Sequence, residues 1–225
     1  MRLNHFIASA TDLSRRAADL AIRQGRITVD GQPGKVGQNI QASQVVTCDG
    51  QIIQTRLHQA TILLHKPVGY VSSRRQQGSH STVFDLLPPD LQHLQIAGRL
   101  DQDSSGLLVL TSDGQLLYTL THPKFAKVKT YEVTLTRPLS DQDRQRLTEG
   151  VVLSDGLSQL FVTAVEGRHV VLNLSEGRNR QIRRTFGALD YGITRLHRTS
   201  IGPYQLANLP AGEWQLAHVR GVRHA

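Results

Sequence analysis

A single cysteine, Cys48, in 225 residues excludes an internal disulfide framework and a thiolate metal cluster. It lies in VVTCDGQII, where it reads as a small strand residue. No apolar run approaches the ~18 residues of a membrane-spanning helix. The opening MRLNHFIASATD lacks the continuous apolar stretch of a secretory signal. These absences predict a reduced, cytoplasmic chain with no membrane association. The motifs GxGxxG, GxxxxGK[ST], HExxH and GxSxG are all missing, which removes the common phosphate-binding, zinc-protease and serine-hydrolase readings. Ten histidines are scattered without a ligand pair at helical spacing, so no metal site is expected.

Acidic residues are also in short supply. Lysine and arginine number 26 against 18 aspartates and glutamates, a net charge of +8 that fits a polyanionic partner. The arginines cluster at Arg15 and Arg16, Arg23 and Arg26, Arg74 and Arg75, at Arg178, Arg180, Arg183 and Arg184, and at Arg195 and Arg198. They sit in several separate elements rather than one tail. That distribution points to a folded nucleic-acid surface.

The 39% apolar content suffices for a core in one or two domains. In RLNHFIASA, Leu3, Phe6 and Ile7 share a helical face. SRRAADLAIRQG offers Ser14 as N-cap, Ala17, Leu20 and Ala21 inward, and Gly25 as terminator. RITVDGQ alternates like a strand, and VVTCDGQII is a hairpin pattern around Asp49 and Gly50. Residues 1–55 therefore form a small unit, 56–60 a linker, and 61–225 a larger domain. In the latter, TILLHKPVGYVSS predicts a strand, a Pro-Gly break and a second strand. Further strand patterns recur at GLLVLTS, KTYEVTLT, SQLFVTAV and HVVLNLSEG. SDQDRQRLTEG reads as a helix from Ser140 to a Gly150 stop, and RNRQIRRTFGAL as another. The fold class is α+β, with a mainly antiparallel sheet, and no internal repeat is present.

AGRLDQDSSGLLVLTSDG poses the chemical question, because it sets an arginine, two carboxylates and two serines against an apolar strand. A turn needs only one or two such residues. Ser104 and Ser105 have no base nearby in sequence and make poor nucleophiles unassisted. Asp103 looks like a turn cap. Asp101, flanked by Arg99, remains. In the last helix, Ile182, Phe186 and Leu189 define an apolar face at about 100° per residue. Arg183 falls at the edge of that face, whereas Arg180 and Arg184 point towards solvent or phosphate. Arg183 is thus expected to pair with Asp101 and keep it ionised.

HKPVGYVSS (65–73), GRLDQDSSGLLVLTSDG (98–114), KTYEVTL (129–135) and LSEGRNRQIRRTFGALDYGITRLHRTSIG (174–202) together resemble pseudouridine synthases, most closely the RsuA-type branch acting on ribosomal RNA. The likeness covers essentially the whole chain. Residues 2–54 resemble an S4 RNA-binding domain, which implies Arg15, Arg16 and Arg23 against RNA, with Arg180 and Arg184 as further phosphate contacts. Alternatively, Asp19 neutralises Arg15 or Arg23 at i, i+4. The resemblance implies Asp101 as the nucleophile and Arg183 as its ion-pair partner. It also implies Arg99 filling the space of a flipped base, Tyr131 stacking on uracil and Leu174 walling the pocket. No cofactor is implied, and the chain is expected to act as a monomer on ribosomal RNA or a partly assembled subunit. Small-subunit RNA is the first choice and large-subunit RNA the second. A non-catalytic RNA-binding protein and a nucleosidase that cleaves without rejoining stand as competing classes, and the route of nucleophilic attack stays open.

Overall fold

In the computed structural model, which describes residues 1–11, 13–41, 43–53, 60–76 and 78–217, two Asp-Gly pairs turn the N-terminal hairpins. Asp30 and Gly31 have φ of 50° and 79°, and Asp49 and Gly50 have 51° and 79°. Positive φ at both central residues is the tight-hairpin turn that these two residue types favour. The hairpins join β1 (Ile27–Val29) to β2 (Gln32–Pro33) and β3 (Val46–Cys48) to β4 (Gln51–Ile52), giving an antiparallel sheet of order β2-β1-β3-β4. Before it come α1 (Leu3–Ala10) and α2 (Arg15–Arg23). Ser14 caps α2 by accepting the Ala17 amide at 3.1 Å. Leu3, Ile7, Ala18, Ala21, Ile22 and Ile27 pack as a separate small core.

The inward face of α2 meets the expectation at Ala21 but not at Leu20, and Ala17 is only half-buried. Ala18, Ala21 and Ile22 are buried, while Leu20 is 54% exposed. Apolar residues occupy both phases of this short helix, so its wheel alone does not select the face. Asp19 also departs from its expected pairing, accepting a 3.1 Å hydrogen bond from Asn4 rather than meeting Arg15 or Arg23.

The chain divides into two compact units, residues 1–59 with 112–114 and residues 60–111 with 115–225. Of the expected linker 56–60, only Ala60 lies within the described residues, half-buried beside the second unit's core.

The second unit is built on β5 (Thr61–Lys66), β6 (Gln95–Ala97), β7 (Ser105–Thr111), β8 (Lys129–Leu135), β11 (Phe161–Glu166), β12 (His169–Leu174), β13 (Ile193–Ile201), β14 (Tyr204–Gln205) and β15 (Trp214–Leu216). These nine strands share one sheet of order β11-β12-β8-β13-β7-β5-β15, with β14 on β13 and β6 on β7. A separate hairpin pairs β9 (Val151–Leu153) with β10 (Gly156–Ser158). Helices are few: α3 (Gly114–Thr121), α4 (Asp141–Glu149) and α5 (Gln181–Gly187). Ser140 caps α4 as its sequence predicts, accepting the Asp143 amide, and Gly150 closes it at φ 120°. The second strand expected in YVSS is absent, reduced to one bridge between Val71 and Thr82.

The sheet is antiparallel except where β13 runs parallel to β7, with His197 opposite Ser105 and Arg198 opposite Gly106. Leu108 and Leu110 of β7 pack into the core on one face, Leu107 and Val109 into a second cluster on the other. A central strand covered on both faces reads as a continuous apolar run, which accounts for GLLVL.

Candidate active site

The polar loop that precedes β7 has a use for every carbonyl it carries. Arg99 O accepts from Arg198 Nη1 at 3.4 Å, and Leu100 O from Ser72 Oγ at 2.8 Å. Asp101 O takes the Ser104 amide at 3.1 Å and Gln102 O the Gly69 amide at 2.9 Å. Asp103 O takes Arg183 Nη2 at 2.8 Å and Ser104 O takes Lys66 Nζ at 2.6 Å. Consecutive carbonyls held from three other segments and by the loop's own Ser104 amide leave the loop little freedom. Fixing backbone in advance of reaction is how a site holds a reactive group in a productive geometry.

Lys66 has no solvent-accessible surface, and its ammonium also donates to Pro67 O at 2.9 Å. Burial pushes it down to about 8, against the pull of Asp103 and Asp101. Arg198 is likewise buried, donating Nε to Leu107 O at 2.8 Å. Sequence reasoning gave no role to Lys66, Gly69 or Ser72, and it counted Arg198 among the arginines of a nucleic-acid surface, whereas Arg198 is buried. Their signal lay in HKPVGYVSS and RLHRTSIG, whose partners are distant along the chain.

Beside the loop opens a cleft of about 360 Å³. Arg99, Asp101, Tyr131, Leu174, Arg180 and Arg183 all line it. Gly98, Arg99, Leu100 and Asp101 line it in succession, and Leu100 also packs against the core. Tyr131 enters from β8, where Arg198 is its ladder partner on β13. Leu174 closes the end of β12 and is buried. The other expected site residues lie elsewhere. Arg15, Arg16 and Arg23 are exposed on α2 of the first unit, with no carboxylate within ion-pair distance among the described residues. Arg184 is held by Asp155 in a two-pronged pair at 2.7 and 2.9 Å.

The expected Asp101–Arg183 pair is not formed. Arg183 Nε lies 3.2 Å from Asp103 Oδ2, and its Nη1 donates to Ile193 O at 3.3 Å. The residue beside Asp101 is Arg180, with Nη1 3.6 Å from Oδ2. The wheel misplaced Arg180 because it is not in the helix. It is the N-cap, at φ 47° and ψ 31°, and α5 begins only at Gln181. That left-handed turn swings its side chain back to the cleft. Asp103, read as a turn cap, receives both arginines. Burial alone pushes its carboxyl up, but the Arg180 hydrogen bonds and the charges of Arg183 and Arg180 outweigh this and hold it below the usual range.

A base for serine does exist in space, since Ser105 Oγ lies 2.8 Å from His197 Nδ1. Neither residue lines the cleft. Among the described residues, no group of three or more His, Cys, Asp or Glu side chains is arranged to hold a metal, and no helix is long and apolar enough to cross a membrane. The chemistry on offer is a half-exposed carboxylate on a rigid loop, facing a flat ring and an apolar wall and ringed by cations. That suits a covalent reaction on a planar, anionic substrate.

Comparison with known proteins agrees with this geometry. Residues 60–188 match the family model described as RNA pseudouridylate synthase. A ribosomal small subunit pseudouridine synthase A of Yersinia pestis is 36% identical over 222 residues, covering 96% of this chain and 94% of that protein. A dual-specificity RNA pseudouridine synthase, RluF, of Salmonella typhi is 33% identical over 217 residues, covering 95% and 74%. A pseudouridylate synthase crystal structure superposes with a TM-score of 0.70 at 32% identity, covering 97% of this chain and 96% of that one. The chain belongs to the pseudouridine synthase family.

Proposed function

We propose that this chain isomerises uridine to pseudouridine in ribosomal RNA, with small-subunit RNA as the target and Asp101 as the nucleophile. The observation that carries the reading is the convergence of Asp101, Tyr131 and Leu174 on one cleft, beneath a loop whose carbonyls are all engaged. The reaction breaks the N1–C1′ bond, turns the base and joins C5 to C1′, moving a proton from C5 to N1 with no net redox change. It needs a nucleophile rather than an electron carrier. The carboxylate attacks at C1′ or C6, or removes a sugar proton in a glycal route. A stacked base is out of reach, so the nucleotide is flipped from its helix. Arg99 fills the vacated space and Tyr131 stacks on the uracil. Arg180 and Arg183 hold Asp103, and Arg180 adds its charge beside Asp101.

Residues 1–55 act as an S4-like RNA-binding domain, in which Arg15, Arg16 and Arg23 contact phosphates. Its two helices, Asp-Gly hairpins and exposed arginines support this part of the reading. Bases in loops and bulges cost least to flip, so a partly assembled subunit in cytoplasm is the better substrate, taken by a monomer. The small-subunit choice rests on the relative from Yersinia pestis. Large-subunit RNA is the second reading, and the dual specificity named for the Salmonella typhi relative is compatible with more than one RNA target.

Mapping pseudouridines in ribosomal RNA from cells with and without this protein tests the proposal. One small-subunit pseudouridine should vanish with the gene and return when purified protein is added to that RNA. Loss confined to large-subunit RNA overturns the target, and an unchanged map overturns the reaction.

A further inference from the structure

The cleft continues on one side into an exposed cluster of rings that catalysis does not use. His122, Pro123 and Lys127 line the cleft mouth. Behind them, Tyr118 of α3 is 40% exposed, its ring 4.7 Å from His122 and 5.5 Å from Phe125. Lys124 Nζ lies over both rings, 4.9 Å from Tyr118 and 4.8 Å from Phe125. The turn that presents them is rigid. His122 Nδ1 accepts the Lys124 amide at 3.2 Å, Pro123 opens a single 3₁₀ turn, and Ala126 closes it at φ 42°, ψ 42°. A non-glycine residue held left-handed is strained and persists where its surroundings impose it, often at binding sites. With Nδ1 occupied as an acceptor, neutral His122 keeps its proton on Nε2, free to donate.

Exposed rings beside lysines that have no ion pair among the described residues, at the rim of a nucleotide-sized cleft, have the make-up of a single-strand platform. We infer that turn 122–127, with Tyr118, is a subsite for the nucleotide next to the flipped uridine. The neighbouring base stacks on the exposed His122 ring, Tyr118 behind it supports that ring, and Lys124 and Lys127 take its phosphates. The inference rests on the proposed reaction at Asp101 and extends it to sequence context. Flipping a base leaves its neighbour unstacked on one face. A protein ring at the cleft mouth replaces the lost stacking partner and helps hold the flipped state.

The test uses the full-length protein and a short synthetic RNA spanning the uridine identified by mapping, together with copies made abasic immediately 5′ or 3′ of that uridine. The variants are His122→Asn, which keeps an oxygen to cap the turn, and Tyr118→Leu, each checked for an unchanged unfolding midpoint. Each should lower kcat/KM on the intact RNA about tenfold, within the range of one base–aromatic stack. On the RNA abasic at the contacted position, the same variants should lose nothing further. Equal losses on all three RNAs, or no loss on any, overturn the subsite while leaving the enzyme reading in place. A wild-type chain that isomerises no uridine in the intact RNA overturns both.

Discussion

Arg180 grips Asp103 with both arms of its guanidinium, Nη2 to Oδ2 at 2.8 Å and Nη1 to Oδ1 at 3.2 Å. The same Nη1 stands 3.6 Å from Asp101. Two carboxylates two residues apart thus hold different stations. Asp103 is anchored by Arg180 and Arg183, and Asp101 is left with one longer contact at the cleft. Anchoring one carboxylate fixes the arginine that faces the other, which keeps positive charge beside Asp101 without capping its oxygens.

Asp101→Asn should lower single-turnover pseudouridine formation by at least about 10³-fold, since removing a nucleophile acts on this scale or larger. RNA affinity should stay near wild type, because the carboxamide keeps the size. Asp103→Asn should cost only about tenfold to a hundredfold, the worth of a charge-assisted hydrogen bond. A reversed order of severity would transfer the nucleophile to Asp103.

Gly106→Ala should prevent stable folding of the second unit. Gly106 has φ 114°, and an added Cβ would lie 2.2 Å from Arg198 O and 2.5 Å from Arg198 N. Both atoms are backbone of the neighbouring parallel strand, so they cannot swing aside. The expected loss exceeds about 4 kcal/mol, read as a collapsed urea midpoint or insoluble protein. A well-folded variant would mean that β7 and β13 separate more easily than their contact implies.

The exposed arginines of α2 should act through phosphate. Replacing Arg15, Arg16 and Arg23 together with Gln should reduce the slope of log affinity against log salt by up to about 2–3, near one counterion per contact. The isomerisation rate at saturating RNA should change little. An unchanged slope would make α2 an ordinary solvated helix.

Acid should weaken the second unit through His197. Burial, then the charges of Arg195 and His65, hold this imidazole below its ordinary 6.5, against Glu132. The unfolded chain therefore binds the proton more readily than the fold does. Stability is full above about 6.5 and falls as pH drops from there towards the lowered folded value. Urea midpoints across that window should slope downward on acidification, and His197→Gln should flatten the slope. His5 in the first unit is lowered too, by burial and then Arg15, so that unit's own transition should also weaken in acid. Parallel curves for variant and wild type would exclude His197 as a source.

Features that depend on neighbours in the chain were written in the sequence. Asp-Gly pairs specify the two hairpins because both central residues tolerate positive φ. Ser14 and Ser140 cap their helices because an N-cap needs only a side-chain oxygen three residues from an amide. GLLVL marks a strand buried on both faces. Tertiary structure decided the rest. Apolar residues around α2 permitted two inward faces, and packing against β1 and its neighbours selected Ala18 and Ile22 over Leu20. A helical wheel describes only residues inside the helix, so it failed at Arg180, whose left-handed turn lies just before α5. The donors that hold loop 99–104 come from residues 66, 69, 72, 183 and 198 as well as from the loop itself. A hydrogen bond between side chain and distant carbonyl leaves no periodicity in sequence, because its geometry exists only once the sheet has brought the partners together.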